Sequence, residues 1–256
     1  MRILLVGASG AMGQSVVRFV EQTTDQVTVA LQDKESNEES YEVFTTFEAM
    51  SQYLTENPEA ADVIIDFSSP KITDDVLKIA EKHQTPLMLA TTGQTEEQEQ
   101  LIKAAAKNIA IVDTHNTSIG VNVMQALVAQ MTKMLYPLGY DIEVIEKHHR
   151  YKKDSPSGTA KMILKAAQDS IDETTTVLNG RDGVDYERPH SEIGVHAIRG
   201  GDIVGEHTIL FANNQETLEL THRAGTKDLF VRGALQAARF LVNAEPGLYD
   251  MHDVIG

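Results

Sequence analysis

The chain has 256 residues, 41% of them hydrophobic and 23% charged, and no cysteine. Disulfides, thiolate catalysis and Cys-ligated zinc are thereby excluded, and the length allows one large domain or two modest ones with a sizeable core. Lys plus Arg number 22 against 38 Asp plus Glu, a formal charge of −16; such a surface repels phosphate backbones and argues against nucleic-acid partners, so an anionic ligand needs a local basic island.

In chain order, the opening "RILLVG" is a continuous apolar run, as expected of a buried parallel strand, and is too short for a signal peptide. "AMGQSVVRFVEQ" places Met12, Val16, Val17 and Val20 at helical spacing, and "QVTVALQD" reads as a strand. "DKESNEESYEVFTTFEAM" is less regular and suggests a loop, a short strand and a short helix. "ADVIIDF" is a strand, followed by a helix in "SPKITDDVLKIAEKH" with Ser69 as N-cap and Pro70 at its first position. "TPLMLATTG" is a strand, "TEEQEQLIKAAAKN" a helix and "IAIVD" a strand. The acidic clusters Glu38–Glu39 and Glu96–Glu99 are read as solvated faces. Strands alternating with helices predict a parallel α/β sheet.

After about Asn116 the rhythm changes. "IGVNVMQALVAQMTKMLYPL" predicts a long helix stopping near Pro137, and "YDIEVIEKHH" alternates, imperfectly, as a strand. "EIGVHAIR", "DIVGEHTILF" and "ETLELTHRA" are further strands, the last two joined by an "ANNQ" hairpin turn. Successive strands without helices predict a second, α+β domain with an antiparallel or mixed sheet. "VRGALQAARFLVN" carries Val231, Ala234, Leu235, Ala238, Leu241 and Val242 on one stripe, a helix expected to pack back on the first domain. No stretch approaches the ~20 apolar residues of a membrane helix, and the simplest expectation is a soluble cytoplasmic protein.

Two motifs carry chemistry. "VGASGAMG" puts Gly7, Gly10 and Gly13 after the first strand and at the opening of a helix, where glycine lets the backbone turn tightly and approach a pyrophosphate. The spacing is G-x-x-G-x-x-G, with Ser9 where the usual motif has its second glycine; Ala8, Ala11 and Met12 complete the loop. The second strand ends in Asp33, placed to meet the adenine ribose hydroxyls, and then Lys34, placed to meet a 2′-phosphate; the pair leaves NAD and NADP both open.

The other motif is "EKHHRYKKDSPSGTA", a strand-to-helix loop with two histidines and four cations. Ser157, Gly158 and Thr159 fall in the first turn of the following helix, whose N–H groups, hydroxyls and dipole make a seat for a carboxylate. Histidine titrates near neutrality and serves as a general acid; lysine can donate to an imine nitrogen or a carboxylate. A solvated charge run, a nucleic-acid patch and a metal site compete with this reading. Adjacent histidines diverge on a strand and no third ligand is spaced to help them, so no metal is expected.

At these residues the chain resembles the 4-hydroxy-tetrahydrodipicolinate (dihydrodipicolinate) reductases. The signature E-x-H-H-x-x-K-x-D-x-P-S-G-T stands here as Glu146, His148, His149, Lys152, Asp154, Pro156, Ser157, Gly158 and Thr159. The likeness extends through "GASGAMG", "DFSSP" at 66–70, "ATTG" at 90–93, "SIGVN" at 118–122, "RGGDIVGEHT" at 199–208 and "GLYDMHDV" at 247–254. It implies a Rossmann domain at 1–117 plus 228–256 that binds NADH or NADPH, and a domain at 118–227 that binds substrate and builds a homotetramer. It implies a cyclic imine dicarboxylate as substrate, reduced by hydride transfer with loss of water. By position His148 is implied as the residue that gives or takes a proton and Lys152 as a second donor near the ring nitrogen. His149 and the Ser157–Gly158–Thr159 turn are implied as carboxylate ligands. Ala90, Thr91 and Thr92, with Thr114, His115, Asn116 and Thr117, match loops at the nicotinamide end, although "THNTS" departs from the family's usual second loop. Another two-domain nicotinamide reductase and a non-catalytic dinucleotide sensor are the alternatives.

Overall fold

The structure is a computed structural model that describes residues 1–34 and 39–256. Glu38 therefore lies outside the described residues, while Glu39, Glu96, Glu97 and Glu99 are exposed. The chain divides into two compact units, Met1–Ile119 with Asp228–Gly256, and Gly120–Lys227.

In the first unit β1 (Arg2–Val6), α1 (Ala11–Val20), β2 (Gln26–Leu31), β3 (Glu42–Phe44), α2 (Phe47–Glu56), β4 (Val63–Asp66), α3 (Thr73–Lys82), β5 (Leu87–Leu89), α4 (Glu96–Ala105) and β6 (Ala110–Asp113) follow one another. The strands form a parallel sheet ordered β12-β6-β5-β4-β1-β2-β3, where β12 is Gly247–Tyr249 near the end of the chain. Strands buried on both faces explain the continuous apolar runs. One face packs on α1 and two late helices, α7 (Asp228–Leu241) and α8 (Met251–Ile255); the other packs on α2, α3 and α4. The stripe on α7 is buried as expected except at Val242, which is 40% exposed just past the helix end. Ser69 caps a single 3₁₀ turn, Pro70–Ile72, and the α-helix begins only at Thr73.

The second unit carries α5 (Ile119–Leu135) from its second residue on, followed by a 3₁₀ turn holding Pro137, then β7 (Asp141–His148), α6 (Gly158–Gln168), β8 (Thr176–Asn179), β9 (Glu192–Arg199), β10 (Glu206–Ala212) and β11 (Thr217–Arg223). Its sheet is mixed, ordered β11-β10-β7-β9-β8: β10 is antiparallel to both β7 and β11, and β9 is parallel to β7 and β8. Ile142, Val144, Ile193, Val195, Ile209 and Phe211 pack with Met124, Val128 and Ile163 of the helices into one core. The strand expected from Asp202 starts only at Glu206, and β8 is a further strand at the sheet edge.

Candidate active site

In the first unit the expected cofactor residues gather at the carboxyl ends of the parallel strands. The sheet order reverses between β1 and β4, and the crevice beside such a switch point is where these sheets take ligands. Gly7 sits there with φ at 86°, and a Cβ on it would stand 2.8 Å from the Phe67 carbonyl oxygen. Gly13 needs to be glycine for another reason: its Cβ would come 2.2 Å from the Gly7 carbonyl oxygen, so its absence lets α1 rest on the turn. Gly10 is the N-cap of α1 and no side chain caps this helix, in contrast to Thr46 on α2, Thr95 on α4 and Asp250 on α8. An uncapped helix start behind a tight glycine turn suits a diphosphate. Ser9 and Ala11 are exposed, whereas Ala8 is buried and Met12 is half-buried against the core. Asp33 and Lys34 are exposed just beyond β2.

The loops after β5 and β6 are held by their own side chains. Thr91 is buried; its hydroxyl donates to Asp66 Oδ2 (3.1 Å) and accepts from the Ser68 N–H (3.1 Å). Ser68 gives both its N–H (2.9 Å) and its hydroxyl to Asp66 Oδ1. Burial pushes the Asp66 carboxyl above the usual carboxylate range, against these hydrogen bonds. Thr114 and Asn116 close a turn in which the Asn116 N–H donates to Thr114 Oγ1 (3.2 Å) and the Ser118 N–H to Asn116 Oδ1 (2.9 Å). Thr117 donates to the Phe230 carbonyl of α7 (2.7 Å), and a Cβ on Gly233 of that helix would lie 1.6 Å from the Thr117 carbonyl oxygen. Of the two loops, Thr92 and His115 present exposed side chains, and Ala90 packs on the core.

In the second unit the alternation of β7 turns Ile142, Val144, Glu146 and His148 to the helix-covered side. Glu146 is fully buried, a position a carboxylate holds only if its oxygens are satisfied. Arg199, beside His148 in the β7–β9 register, meets it with two parallel hydrogen bonds of 2.8 Å, and the Ser157 N–H adds a third at 3.0 Å. His148 Nδ1 lies 2.5 Å from Glu146 Oε2. Burial alone would raise the Glu146 carboxyl, but Arg199, His148 and the Ser157 N–H outweigh it and hold it below the usual range. Burial pulls the His148 imidazole below its ordinary value, with Glu146 opposing and Lys152 and Arg199 assisting. A Cβ on Gly205 would approach His148 Nε2 to 3.1 Å, so glycine there makes room for the ring.

Lys152 pairs with Asp154 (2.9 Å) and is about one-fifth exposed at 22%, which leaves its ammonium reachable. Nδ1 of His149 is buried with no hydrogen-bond partner among the described residues, as are Nδ1 of His207 and of His222. Ser157 is the N-cap of α6 and Gly158 its first residue. The Ser157 hydroxyl accepts from the Ala160 N–H (3.2 Å) and lies 3.0 Å from His207 Nε2, so it braces the turn. Nothing stands within 4 Å of a Cβ on Gly158, and no acidic residue occupies the first turn. Thr159 is half-buried beside them. His207, edge-on to His148 with ring centroids 5.1 Å apart, is pushed down to about 4 by burial and by its histidine neighbour.

The second unit thus brings His148, Lys152, His207 and the Ser157 start of α6 together, whereas the ring of His149 lies against Tyr151 at 6.3 Å. Glu146 stood in the quoted signature without a role, and Arg199 and His207 lay unassigned within "RGGDIVGEHT", as did Ser68 and Asp66 within "DFSSP". Among the described residues, no group of His, Asp and Glu is placed to hold a metal ion, and no helix is long and apolar enough to cross a membrane.

Two family models match, described as "Dihydrodipicolinate reductase, N-terminus" over residues 1–117 and "Dihydrodipicolinate reductase, C-terminus" over residues 120–255. A 4-hydroxy-tetrahydrodipicolinate reductase of Caldanaerobacter subterraneus subsp. tengcongensis is 39% identical over 255 residues, covering 100% of this chain and 98% of that protein. One from Methanocorpusculum labreanum is 41% identical over 256 residues, covering 100% and 99%. In fold, the chain is similar to a dipicolinate-bound dihydrodipicolinate reductase from Paenisporosarcina sp. TG-14, with a TM-score of 0.81 at 22% identity over 98% of this chain and 97% of that one.

Proposed function

The chain belongs to the dihydrodipicolinate reductase family, and from that premise we propose that it reduces 4-hydroxy-tetrahydrodipicolinate to tetrahydrodipicolinate with NADH or NADPH, in lysine and diaminopimelate biosynthesis. The substrate loses its hydroxyl as water and gains one hydride and one proton. The dinucleotide, when bound, supplies the hydride from nicotinamide C4 and leaves oxidised. Its diphosphate rests on the Gly7–Gly13 turn and the start of α1. Ala90–Thr92 and Thr114–Thr117 line its nicotinamide end. Asp33 receives the adenine ribose and Lys34 a 2′-phosphate, consistent with use of either cofactor.

The observation that carries the substrate assignment is the cationic corner of the second unit. In a protein of charge −16, Lys152 and the start of α6, which has no acidic residue in its first turn, lie beside His148, with His149 next in the chain. The Gly158 and Thr159 end of α6 and His149 hold the carboxylates, and Ser157 shapes the turn. Lys152 donates to the ring nitrogen and His148 exchanges the proton, relieving charge that hydride addition builds on the substrate. A homotetramer would use the sheet face turned away from the helices, where Ile145 and Ile198 lie beside Glu143 and Lys147. The enzyme works in the cytoplasm on this reading.

The test is spectrophotometric. Substrate made in situ by the synthase of the preceding step should drive loss of reduced-nicotinamide absorbance with NADH, NADPH or both. A folded protein that oxidises neither would overturn the assignment.

A further inference from the structure

We propose that Glu146 is the positioning residue of His148: it holds the proton of the neutral ring on Nδ1, so that Nε2 is the nitrogen exchanging the catalytic proton, and Arg199 in turn sets Glu146. This rests on the reading of His148 as the residue that exchanges the proton.

Glu146 is fully buried and its two oxygens receive two N–H groups of Arg199, the N–H of Ser157 and Nδ1 of His148. A carboxylate in that setting is ionised and accepts only. At 2.5 Å, Nδ1 must therefore be the donor and carry the hydrogen. The neutral ring then has its lone pair on Nε2, on the side of Gly205, where a side chain would crowd it.

In the cycle Nε2 binds a proton, and the imidazolium lies against the Glu146 carboxylate. As charge develops on the substrate the Nε2–H bond breaks, its electron pair stays on nitrogen, and the proton passes to the substrate; the ring returns to the Nδ1–H form and solvent restores the proton. The charged and titratable groups facing His148 are Glu146 on its own strand, Lys152 in the following loop, Arg199 on β9 and the neutral His207 on β10. Glu146 is the only anion among these four, so it alone favours the protonated ring.

Arg199 has a second role. Besides Glu146 it donates to the Asp154 carbonyl (2.7 Å), and Asp154 pairs with Lys152 (2.9 Å). One guanidinium thus ties the strand that carries His148 to the loop that carries Lys152.

Nitrogen-15 NMR of the histidine rings in the intact enzyme tests the tautomer without any turnover. Neutral His148 should show a protonated Nδ1 and a bare Nε2; a proton on Nε2 in the neutral ring overturns the proposal. In steady state, Glu146→Gln should lose on the order of 10²–10⁴-fold in kcat with substrate KM little changed. The limb of its pH profile that reports protonated His148 should move to lower pH, because the anion favouring the imidazolium is gone. Glu146→Asp should restore part of the activity. Unchanged kcat and pH profile in a folded Glu146→Gln variant would also overturn it. Should that variant fold poorly, the wild-type NMR result still decides. Wild-type turnover in His148→Gln would defeat the proton-transfer reading itself, an outcome distinct from the tautomer.

Discussion

The two units build their candidate anion seats differently. In the first, the seat is backbone: Gly7 in a left-handed turn, Gly13 under the turn, and a helix start that no side chain caps. In the second, the proposed seat joins the start of α6 to side chains that titrate, of which His148 is held by a fully buried carboxylate and its guanidinium. A backbone seat has no proton to lose and fails by steric intrusion. A side-chain seat tolerates modest changes of shape and fails by loss of charge or of a proton.

The largest effect expected lies in the second unit. His148→Gln should lower kcat by roughly 10²–10⁴-fold with KM for substrate near wild type, and Lys152→Ala should also lose turnover. Steady-state kinetics with both variants checks this, and wild-type kcat in His148→Gln would break the contrast at once.

Next comes pH. His207 falls from its ordinary 6.5 to about 4 in the folded protein, through burial first and His148 second. The unfolded chain therefore binds the extra proton, so the associated stability is complete above pH 6.5 and is lost as pH falls toward about 4, on the order of 3 kcal/mol. At Glu143, burial opposes ionisation but Arg181, His196 and Arg188 prevail, lowering it from 4.5 to about 2. Its contribution is present above pH 4.5 and disappears toward pH 2. Denaturant titrations at a series of pH values should show this decline, and His207→Asn should flatten its upper part.

A smaller loss is expected from Gly13→Ala, whose methyl group meets the Gly7 carbonyl. Overpacking of this kind costs about 1–3 kcal/mol, and calorimetry should record weakened NADH binding together with a lower Tm. Smallest is Thr159→Val, expected to raise substrate KM by roughly tenfold with kcat retained, about the worth of one hydrogen bond to a charged group. An unchanged KM would remove that hydroxyl from the seat.

Much of the fold could be read from local pattern. The alternation of apolar strands with striped helices predicted the parallel sheet, and Ser69 with Pro70 marked the turn that leads into α3. What escaped was short, or depended on partners far along the chain. β8 has four residues, mostly exposed, at a sheet edge, so no periodicity betrays it. β12 and α8 span three and five residues and exist because β6 and α7 offer them a surface. The glycine turn and the 146–159 run were legible because a local motif carries them. The Glu146–Arg199 pair was not, since 53 residues separate its members and only the parallel register of β7 and β9 brings them together. Likewise the hydroxyls of Thr91 and Thr117 are committed to Asp66 and to α7, which no local pattern reveals.

The way α7, β12 and α8 complete the first sheet has a consequence for biosynthesis. Val231, Ala234, Leu235 and Ala238 fill the same cluster as Ile3 and Leu5, and the whole of the second unit is translated between them. On the ribosome the second unit, being continuous, can acquire its core while synthesis proceeds. The nucleotide half must wait, its hydrophobic flank bare, until the last helices clear the exit tunnel, so chaperone dependence during translation should concentrate on the segment made first.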